Sequence, residues 1–275
     1  MSEYILSIFG AALYGLVEGI SEWLPISSTG HLIILEHLLP LSVSDGFMEM
    51  FRVVIQFGAV LAVAVVFFKR LWPVVKRDNG SLALSLNKSK LWLKIIIACL
   101  PAAVIGILFD DLIDKYLYNH YVVAIMLVLV GLVFIFFDKL HLEEKVSRIG
   151  MISYYDALLI GLFQVVAAIL PGTSRSGATI IGGLLLGLSR VVITEFTFYL
   201  ALPVMFGASL LKLRKFVFVS FYEVLLLLIG CTVAFFISLV VIRFLINYIK
   251  KHDFKIFGYY RVGLGILVLV LFLFI

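Results

Sequence analysis

A short polar segment interrupts one of the most apolar regions of this chain, at residues 171–179 (PGTSRSGAT). Apolar runs flank it on both sides, GLFQVVAAIL before it and IIGGLLLGL after it. An arginine at the centre of a bilayer costs about 2.5–3.5 kcal/mol on insertion scales. A plain membrane span therefore does not explain this segment, and some other group must meet the charge of Arg175.

A second segment, residues 15–31 (GLVEGISEWLPISSTGH), carries a related pattern near the N-terminus. Aligned without gaps at an offset of 146 residues (161 minus 15), it lies over residues 161–177. In both segments an apolar stretch is followed by a Leu-Pro pair and a hydroxyl-rich turn. The pattern predicts one membrane domain over residues 1–275 that contains two repeats, at approximately 1–145 and 150–275.

The composition identifies the class of protein in which these turns must function. Of the 275 residues, 63% are hydrophobic and 14% are charged, against about 45–50% and 25% in soluble domains. The chain is therefore an integral membrane protein, and its length leaves no room for a separate soluble domain. The net charge of +5 is typical of basic cytoplasmic loops and gives no reason to expect nucleic acid binding.

We predict an all-α, polytopic membrane protein of six spans and two re-entrant helical hairpins, with the two halves in inverted orientation. A hairpin is predicted because each short apolar pair surrounds a break, and irregular backbone at membrane depth is tolerated only where protein or a water-filled cavity covers it. The predicted spans are residues 49–68, 95–109, 121–137, 191–211, 222–246 and 257–275. The predicted hairpins pair residues 4–20 with 31–40, around a turn at 26–30, and residues 154–170 with 177–188.

Loop charges orient this arrangement. The loop after the first span is basic and is predicted to be cytoplasmic, whereas the next loop is acidic and is predicted to lie outside. The basic residues are Lys69, Arg70, Lys76, Arg77, Lys88, Lys90 and Lys94, against the single acid Asp78, and the acidic turn holds Asp110, Asp111 and Asp114. Lys212, Arg214 and Lys215 would lie outside and break the charge rule once, so the topology of that loop stays open.

Glu18 and Glu22 form the first candidate site. They are four residues apart and share one face of a helix, and two carboxylates side by side in lipid require a cation, a proton or an arginine between them. The pattern indicates a metal-binding or acid–base pair. The structural alternative is that Glu22 lies at an interface and Glu18 is hydrogen-bonded to another helix.

The turn that follows supplies hydroxyls and an imidazole. Ser28 is a candidate nucleophile if a base lies beside it, and His31 is a candidate nucleophile or base. Ser27 and Thr29 are candidates for binding an anion, because a hydroxyl-rich turn before a helix exposes backbone amides. The same Ser-Thr-Gly chemistry is also ordinary for a helix cap.

The second turn is the candidate phosphate-binding site. Arg175 lies between Ser174 and Ser176 where a helix begins, an arrangement that suits a phosphate group, and Thr179 could add a hydroxyl one turn later. The segment lacks the lysine and spacing of a P-loop. The alternative role of Arg175 is structural, as the partner of Glu18 or Glu22.

A further polar set lies near the outer end of the first span, where the span begins. Glu49, Arg52 and Gln56 share one helix face, and Glu195 is the partner of Glu49 at the offset of 146 residues (195 minus 49). A structural set of ion pairs and a catalytic role are about equally supported by the pattern.

Each half alone holds an incomplete site, with carboxylates and a nucleophile in the first and the arginine in the second. Brought together at the centre of the membrane, they suit hydrolysis of a phosphoryl group on a membrane-dissolved substrate. The rival hypothesis is a lipid-phosphate transporter or flippase, since inverted repeats with broken helices are common in secondary transporters. A purely structural scaffold is a third hypothesis, disfavoured by the cost of burying three charges.

These residues carry a resemblance to a known family. The pattern Glu18-x3-Glu22 and the runs LPISSTGH (24–31) and PGTSRSGAT (171–179) resemble those of the bacterial undecaprenyl-pyrophosphate phosphatases of the bacitracin-resistance type. The resemblance implies a hydrolase in the bacterial plasma membrane with its active site on the outer side. It would convert undecaprenyl pyrophosphate to undecaprenyl phosphate and inorganic phosphate, recycling the carrier for peptidoglycan and other cell-wall polymers. Abundant enzyme would give bacitracin resistance.

The resemblance also implies roles for the candidate residues. Glu18 and Glu22 would assist catalysis or hold a divalent cation, Mg²⁺ or Ca²⁺, and Ser28 or His31 would be the nucleophile. The pyrophosphate would be held by Arg175 with Ser174, Ser176 and Thr179. The expected partners are the polyprenyl pyrophosphate and the bilayer, and the sequence leaves the oligomeric state open, a homodimer included.

Overall fold

The computed structural model is all-helical apart from one small hairpin, and it describes residues 2–76, 80–137, 140 and 142–273, without the side chains of residues 2, 3, 110 and 114. Arg77 and Asp78, and the side chains of Asp110 and Asp114, were part of the loop-charge prediction and lie outside the described residues. The helices are α1 (Ser2–Ser21), α2 (Ser28–Leu38), α3 (Phe47–Val66), α4 (Phe68–Leu71), α5 (Leu86–Tyr116), α6 (His120–Phe137), α7 (Tyr154–Ile169), α8 (Arg175–Leu185), α9 (Arg190–Lys215), α10 (Phe221–Ile249) and α11 (Lys255–Leu273).

Seven helices in the described part of the chain are long and apolar enough to cross a membrane. Six of them, α3, α5, α6, α9, α10 and α11, correspond to the predicted spans, which confirms a polytopic helical membrane protein. The seventh is Tyr4–Ser21 in α1, which the sequence assigned to a hairpin arm. By length and composition α1 is also a span candidate, whereas α2, α7 and α8 are shorter.

Two local differences from the sequence prediction concern the basic loop. Helix α5 begins at Leu86, nine residues before the predicted start at 95 (95 minus 86), because no glycine or proline separates the lysine-rich segment from the apolar run. The remaining loop contains an antiparallel pair, β1 (Val74–Lys76) and β2 (Leu82–Leu84), which the all-α prediction missed. Apolar segments of three residues are too short to show the period of a strand.

The helices pack between the two halves of the chain in a reciprocal pattern. Helix α1 lies against α10 and α7 lies against α5, whereas α3 packs on α9 and α6 packs on α11. Glycines allow these close approaches, since a Cβ at Gly15 would overlap the carbonyl of Gly230 and a Cβ at Gly161 would overlap the backbone of Ala98. Small residues of this kind let membrane helices approach closely.

The two short helices α2 and α8 both begin directly after a turn. The sequence placed residues 26–30 in a turn and began the second short helix at 177, but the helices begin earlier, at Ser28 and Arg175. The first-turn residues of both helices are therefore the candidate site residues themselves. This places their free backbone amides next to the candidate side chains.

Candidate active site

Glu18 and Glu22 lie one helical turn apart at the end of α1, as predicted. The amide of Glu22 donates to the carbonyl of Glu18 at 3.0 Å, so the helical path continues through the pair. Glu18 is fully buried, and its two carboxylate oxygens have no hydrogen-bond donor among the described residues. A buried carboxylate without a donor is costly, which makes Glu18 a group that requires a partner.

Glu22 joins the two turns. Its Oε2 accepts a hydrogen bond from Ser28 Oγ at 2.7 Å, and its Oε1 pairs with Arg175 Nη2 at 3.1 Å. The side chains of Arg175 and Glu22 are only 12% and 8% exposed. Breaking such a buried pair costs about 3–5 kcal/mol. Arg175 therefore has the structural role considered from the sequence, as the partner of Glu22.

The serines that precede α2 and α8 hold an uncommon backbone conformation. Ser27 has φ 73° and ψ 101°, and Ser174 has φ 70° and ψ 121°. They are the only described residues other than glycine with positive φ. Strain of this kind costs about 1–3 kcal/mol and concentrates at functional sites, so both turns show the same local signature of a site.

Two serine hydroxyl groups lie where helix α8 begins. Ser174 Oγ accepts from the amide of Gly177 at 3.2 Å and lies 3.0 Å from Ser176 Oγ. The hydroxyl of Ser176 also donates to the carbonyl of Glu22 at 3.4 Å, which ties α8 to the end of α1. Hydroxyls and amides at a helix N-terminus form a suitable binding site for an anion.

Arg175 reaches across this site, and the described protein groups use only some of its hydrogen-bond donors. One terminal nitrogen donates to the carbonyl of Thr197 in α9 at 2.9 Å, and the other pairs with Glu22. Its Nε is buried and has no acceptor among the described residues. The guanidinium is thus fixed by α9 and α1 while one donor stays available.

Three predicted binding residues have different surroundings. Thr179 is fully buried, and its hydroxyl lies 3.0 Å from the carbonyl of Arg175 and 2.8 Å from the hydroxyl of Thr197. The hydroxyl of Ser27 is buried without a partner among the described residues, and Thr29 is half-buried. The structure therefore groups Ser27 and Thr29 with the turn and gives Thr179 a packing environment between α8 and α9.

His31 lies one turn further along α2, and its ring contacts other groups than Ser28. Its Nδ1 is 2.8 Å from the carbonyl of Ser27, and its Nε2 is 2.7 Å from the hydroxyl of Tyr260 in α11. Because a carbonyl only accepts, Nδ1 carries a hydrogen, and Nε2 of the neutral ring accepts from Tyr260. The base beside Ser28 is Glu22, not His31.

Arg261 holds the two turns together from behind. It is fully buried in α11, and its guanidinium donates to carbonyls of both turns: Pro25 at 3.2 Å, Gly172 at 2.8 Å and Thr173 at 2.9 Å. The sequence analysis missed this residue. Its signal was a cation within an apolar run, which in a membrane protein is a default candidate for function.

The predicted polar set near the outer end of the first span forms ion pairs outside the candidate active site. Arg52 pairs with Glu36 at 2.6 Å, and Glu49 pairs with Lys212 at 2.7 Å. Glu195 pairs with Arg70 at 2.5 Å. These contacts favour the structural interpretation of the set over the catalytic one.

Comparison with known proteins identifies the family of this chain. The family model described as "Bacitracin resistance protein BacA" matches residues 11–267. The chain belongs to the BacA family. It is 52% identical over 271 residues to an undecaprenyl-diphosphatase of Desulfitobacterium hafniense, which covers 98% of this chain and 97% of the relative.

Two further relatives carry the same name. An undecaprenyl-diphosphatase of Enterococcus faecalis is 50% identical over 274 residues, covering 98% of this chain and 99% of the relative. Undecaprenyl-diphosphatase 1 of Clostridioides difficile is 52% identical over 270 residues, covering 98% and 97%. The resemblance stated from the two motifs is thereby confirmed over nearly the full length of the BacA-family chain.

The carboxylate oxygens of this BacA-family site can coordinate a divalent cation only together with oxygen atoms of a bound ligand. No group of three or more His, Cys, Asp or Glu side chains suited to a metal is present among the described residues. However, Glu18 offers two buried oxygens without donors next to Glu22. Mg²⁺ is typically held by one or two carboxylates together with substrate phosphates, and that is the arrangement these residues can supply.

Proposed function

We propose that this BacA-family protein hydrolyses undecaprenyl pyrophosphate to undecaprenyl phosphate and inorganic phosphate. The names of relatives that are about half identical over nearly the whole chain support this reaction. Membership of the family implies the role, which is to supply the monophosphate as the carrier that cell-wall synthesis reuses. The family description also fits bacitracin resistance when the protein is abundant.

The observation that carries the proposal is the placement of Glu22 between Ser28 and Arg175. A hydroxyl nucleophile lies 2.7 Å from a carboxylate base, and an arginine lies 3.1 Å from the other oxygen of that base. Nucleophile and base within hydrogen-bond reach are the diagnostic arrangement for covalent catalysis. A transporter would need the arginine but not the activated serine.

The proposed reaction has two chemical steps. Ser28 Oγ attacks the terminal phosphorus in line, its proton passes to Glu22, and the anhydride P–O bond breaks so that the lipid monophosphate leaves. Glu22 gives this proton to the departing lipid phosphate and is again a carboxylate. Water then attacks the phosphorus of the phosphoserine, its proton passes through Glu22 to Ser28 Oγ, and inorganic phosphate is released as the Ser28–phosphorus bond breaks. Arg175 and the amides at the start of α8 stabilise charge on the transferring group, which is where most catalysis of phosphoryl transfer originates.

A divalent cation is proposed as a cofactor, Mg²⁺ or Ca²⁺. Glu18 and Glu22 would hold it, and it would neutralise charge on the pyrophosphate oxygens. The orphaned carboxylate oxygens of Glu18 support this assignment. The binding roles of Ser27, Thr29, Ser174 and Ser176 are proposed from their place in the turns.

We further propose that α1–α2 and α7–α8 are re-entrant hairpins in an inverted repeat. Supporting this, α2 and α8 have 11 residues each and begin after serines with nearly the same φ. Those serines are 147 residues apart (174 minus 27), one more than the offset in the apolar arms. The alignment of the two repeats therefore requires a single one-residue gap, between Pro25 and Ser27 of the first turn.

Ion pairs support the same repeat independently. Glu49 at the start of α3 pairs with Lys212 at the end of α9, and Glu195 near the start of α9 pairs with Arg70 beyond the end of α3. The helix packing is reciprocal in the same way: α1 of the first half packs on α10 of the second half, and α7 of the second half packs on α5 of the first half. An inverted repeat places a site at the membrane centre, and we propose that this one opens to the outer face.

A lipid-phosphate transporter remains the alternative class, but the names of the relatives favour a hydrolase. The test is phosphate release from a long-chain prenyl pyrophosphate by the purified protein in detergent. Arg175→Ala and Ser28→Ala should each abolish phosphate release. Two control variants should retain it: Arg243→Ala, at an exposed position of α10, and Ser21→Ala, whose hydroxyl donates to the carbonyl of Val17. Folded wild type that binds lipid phosphate through Arg175 without releasing phosphate would contradict the proposal.

A further inference from the structure

A cavity with basic walls lies apart from the candidate active site. It has a volume of about 560 Å³ and is enclosed by the segment after α3, the beginning of α5, the 3₁₀ turn at Ile149–Met151 and the beginning of α9. None of the residues assigned above to the reaction lines it. The proposed phosphatase activity therefore leaves the cavity without a role.

The described walls of this cavity are strongly basic. Five cationic side chains line it and a single carboxylate, Glu195, opposes them. That carboxylate is already paired with Arg70. The five cations are Lys69, Arg70, Lys88, Lys94 and Arg148.

Backbone carbonyls hold two of these cations in place. Lys88 Nζ donates to the carbonyls of Lys69 and Trp72, at 2.8 and 2.9 Å. Lys94 Nζ donates to the carbonyl of Gly150 at 3.1 Å, and only 8% of this residue is exposed. These contacts fix the positions of two ammonium groups at the cavity wall.

Exposed aromatic side chains lie beside residues that line this cavity. Trp72 and Tyr154 adjoin it and are 52% and 42% exposed, and Tyr155 is 68% exposed. The ring of Tyr154 also lies under the ammonium of Lys94, at 5.8 Å. Tryptophan and tyrosine are enriched at the membrane–water interface, so a ligand of this cavity can keep its acyl chains in the bilayer.

We propose that this cavity is a binding site for the phosphate headgroup of an anionic membrane lipid, separate from the catalytic site. Basic pockets between membrane helices on the cytoplasmic side are suited to such headgroups. The bound lipid would bridge the loop after α3 to the start of α9. Free inorganic phosphate shares this chemistry and is the competing source of the anion.

The test is lipid binding by the full-length protein, measured by native mass spectrometry with phosphatidylglycerol and phosphatidylcholine of identical acyl chains. The cavity variant carries Lys69→Gln, Lys88→Gln and Arg148→Gln. The control variant removes equal charge elsewhere through Lys250→Gln, Lys251→Gln and Lys255→Gln. Each cation near a charged lipid contributes about fivefold to affinity, so we expect at least about tenfold weaker binding of phosphatidylglycerol by the cavity variant and little change in the control.

Three outcomes would overturn the proposal. They are equal affinity of wild type for the two lipids, equal loss in the cavity and control variants, and displacement of phosphatidylglycerol by inorganic phosphate at similar concentration. The last outcome would identify free phosphate as the ligand. Arg148→Gln alone, on an exposed side chain, tests the proposal if the triple variant does not fold, and an affinity unchanged from wild type would then overturn it.

Discussion

Ser27 and Ser174 hold almost the same backbone conformation, each directly before a short helix. Their φ angles are 73° and 70°, and each is the residue before an 11-residue helix. In each case the next residue, Ser28 at the start of α2 or Arg175 at the start of α8, contacts Glu22 through its side chain. An uncommon conformation retained at two separate positions indicates that the turn geometry itself is required.

Substituting Ser27 should separate strain from chemistry. We expect Ser27→Gly to be more stable than Ser27→Ala by about 1–2 kcal/mol, because glycine adopts positive φ without a Cβ clash. Thermal unfolding in detergent measures this. The control is Ser85, which precedes α5 with an ordinary φ of −80°, where only the usual cap preference of glycine over alanine applies. Equal differences at both positions would contradict the strain assignment.

Ser28 and Glu22 should act as one unit in the reaction. We expect Ser28→Ala and Glu22→Gln each to lower kcat by about 10²–10⁴, the range for loss of a positioned base. The double variant should be little worse than either single one, because effects within a catalytic unit are not additive. Phosphate release from the prenyl pyrophosphate measures all three. Multiplicative losses would show that the two residues act independently.

His31 should have a smaller role than Ser28. Its ring is hydrogen-bonded to Ser27 and Tyr260 and makes no contact with the Ser28 hydroxyl. We expect His31→Ala to keep more activity than Ser28→Ala, and Tyr260→Phe to change activity in the same direction as His31→Ala but less. Trapping of the phosphoryl intermediate distinguishes Ser28 from His31 as the nucleophile, since phosphohistidine at position 31 would identify His31.

Arg261 should be needed to hold the two turns together. In Arg261→Leu, three carbonyls of the turns lose their buried donor, and each unsatisfied group costs about 1–3 kcal/mol. We expect a large fall in thermal stability and in kcat. Arg261→Lys should recover only part of both, since an ammonium cannot reproduce the planar fork. Arg243→Leu, on an exposed part of α10, is the matched control and should leave both quantities near wild type.

Removal of divalent cations should abolish phosphate release, and restoring Mg²⁺ or Ca²⁺ should recover it. Glu18→Gln should raise the cation concentration needed for half-maximal rate by about tenfold or more, since it removes a carboxylate ligand. The comparison is Glu49→Gln, whose carboxylate pairs with Lys212 outside the site. Full activity of the wild type in EDTA would refute the metal assignment.

The chain by itself determined the class of protein and most of the chemistry. Long apolar runs select membrane helices because the bilayer leaves few other ways to satisfy the backbone. Charges and hydroxyls within those runs marked Glu18, Glu22, Ser28 and Arg175, since such groups are too costly in lipid to be without function. The motifs around them were specific enough to identify the family.

Only the tertiary structure decided which of these groups meet. Contacts between residues more than eighty positions apart join Glu22 to Arg175 and Arg261 to both turns. The placement of His31 against Tyr260, and of Thr179 against Thr197, likewise depends on how α11 and α9 pack. Local sequence predicts helices because their hydrogen bonds are local, but it carries no information about which faces of distant helices come together, and that packing builds the site.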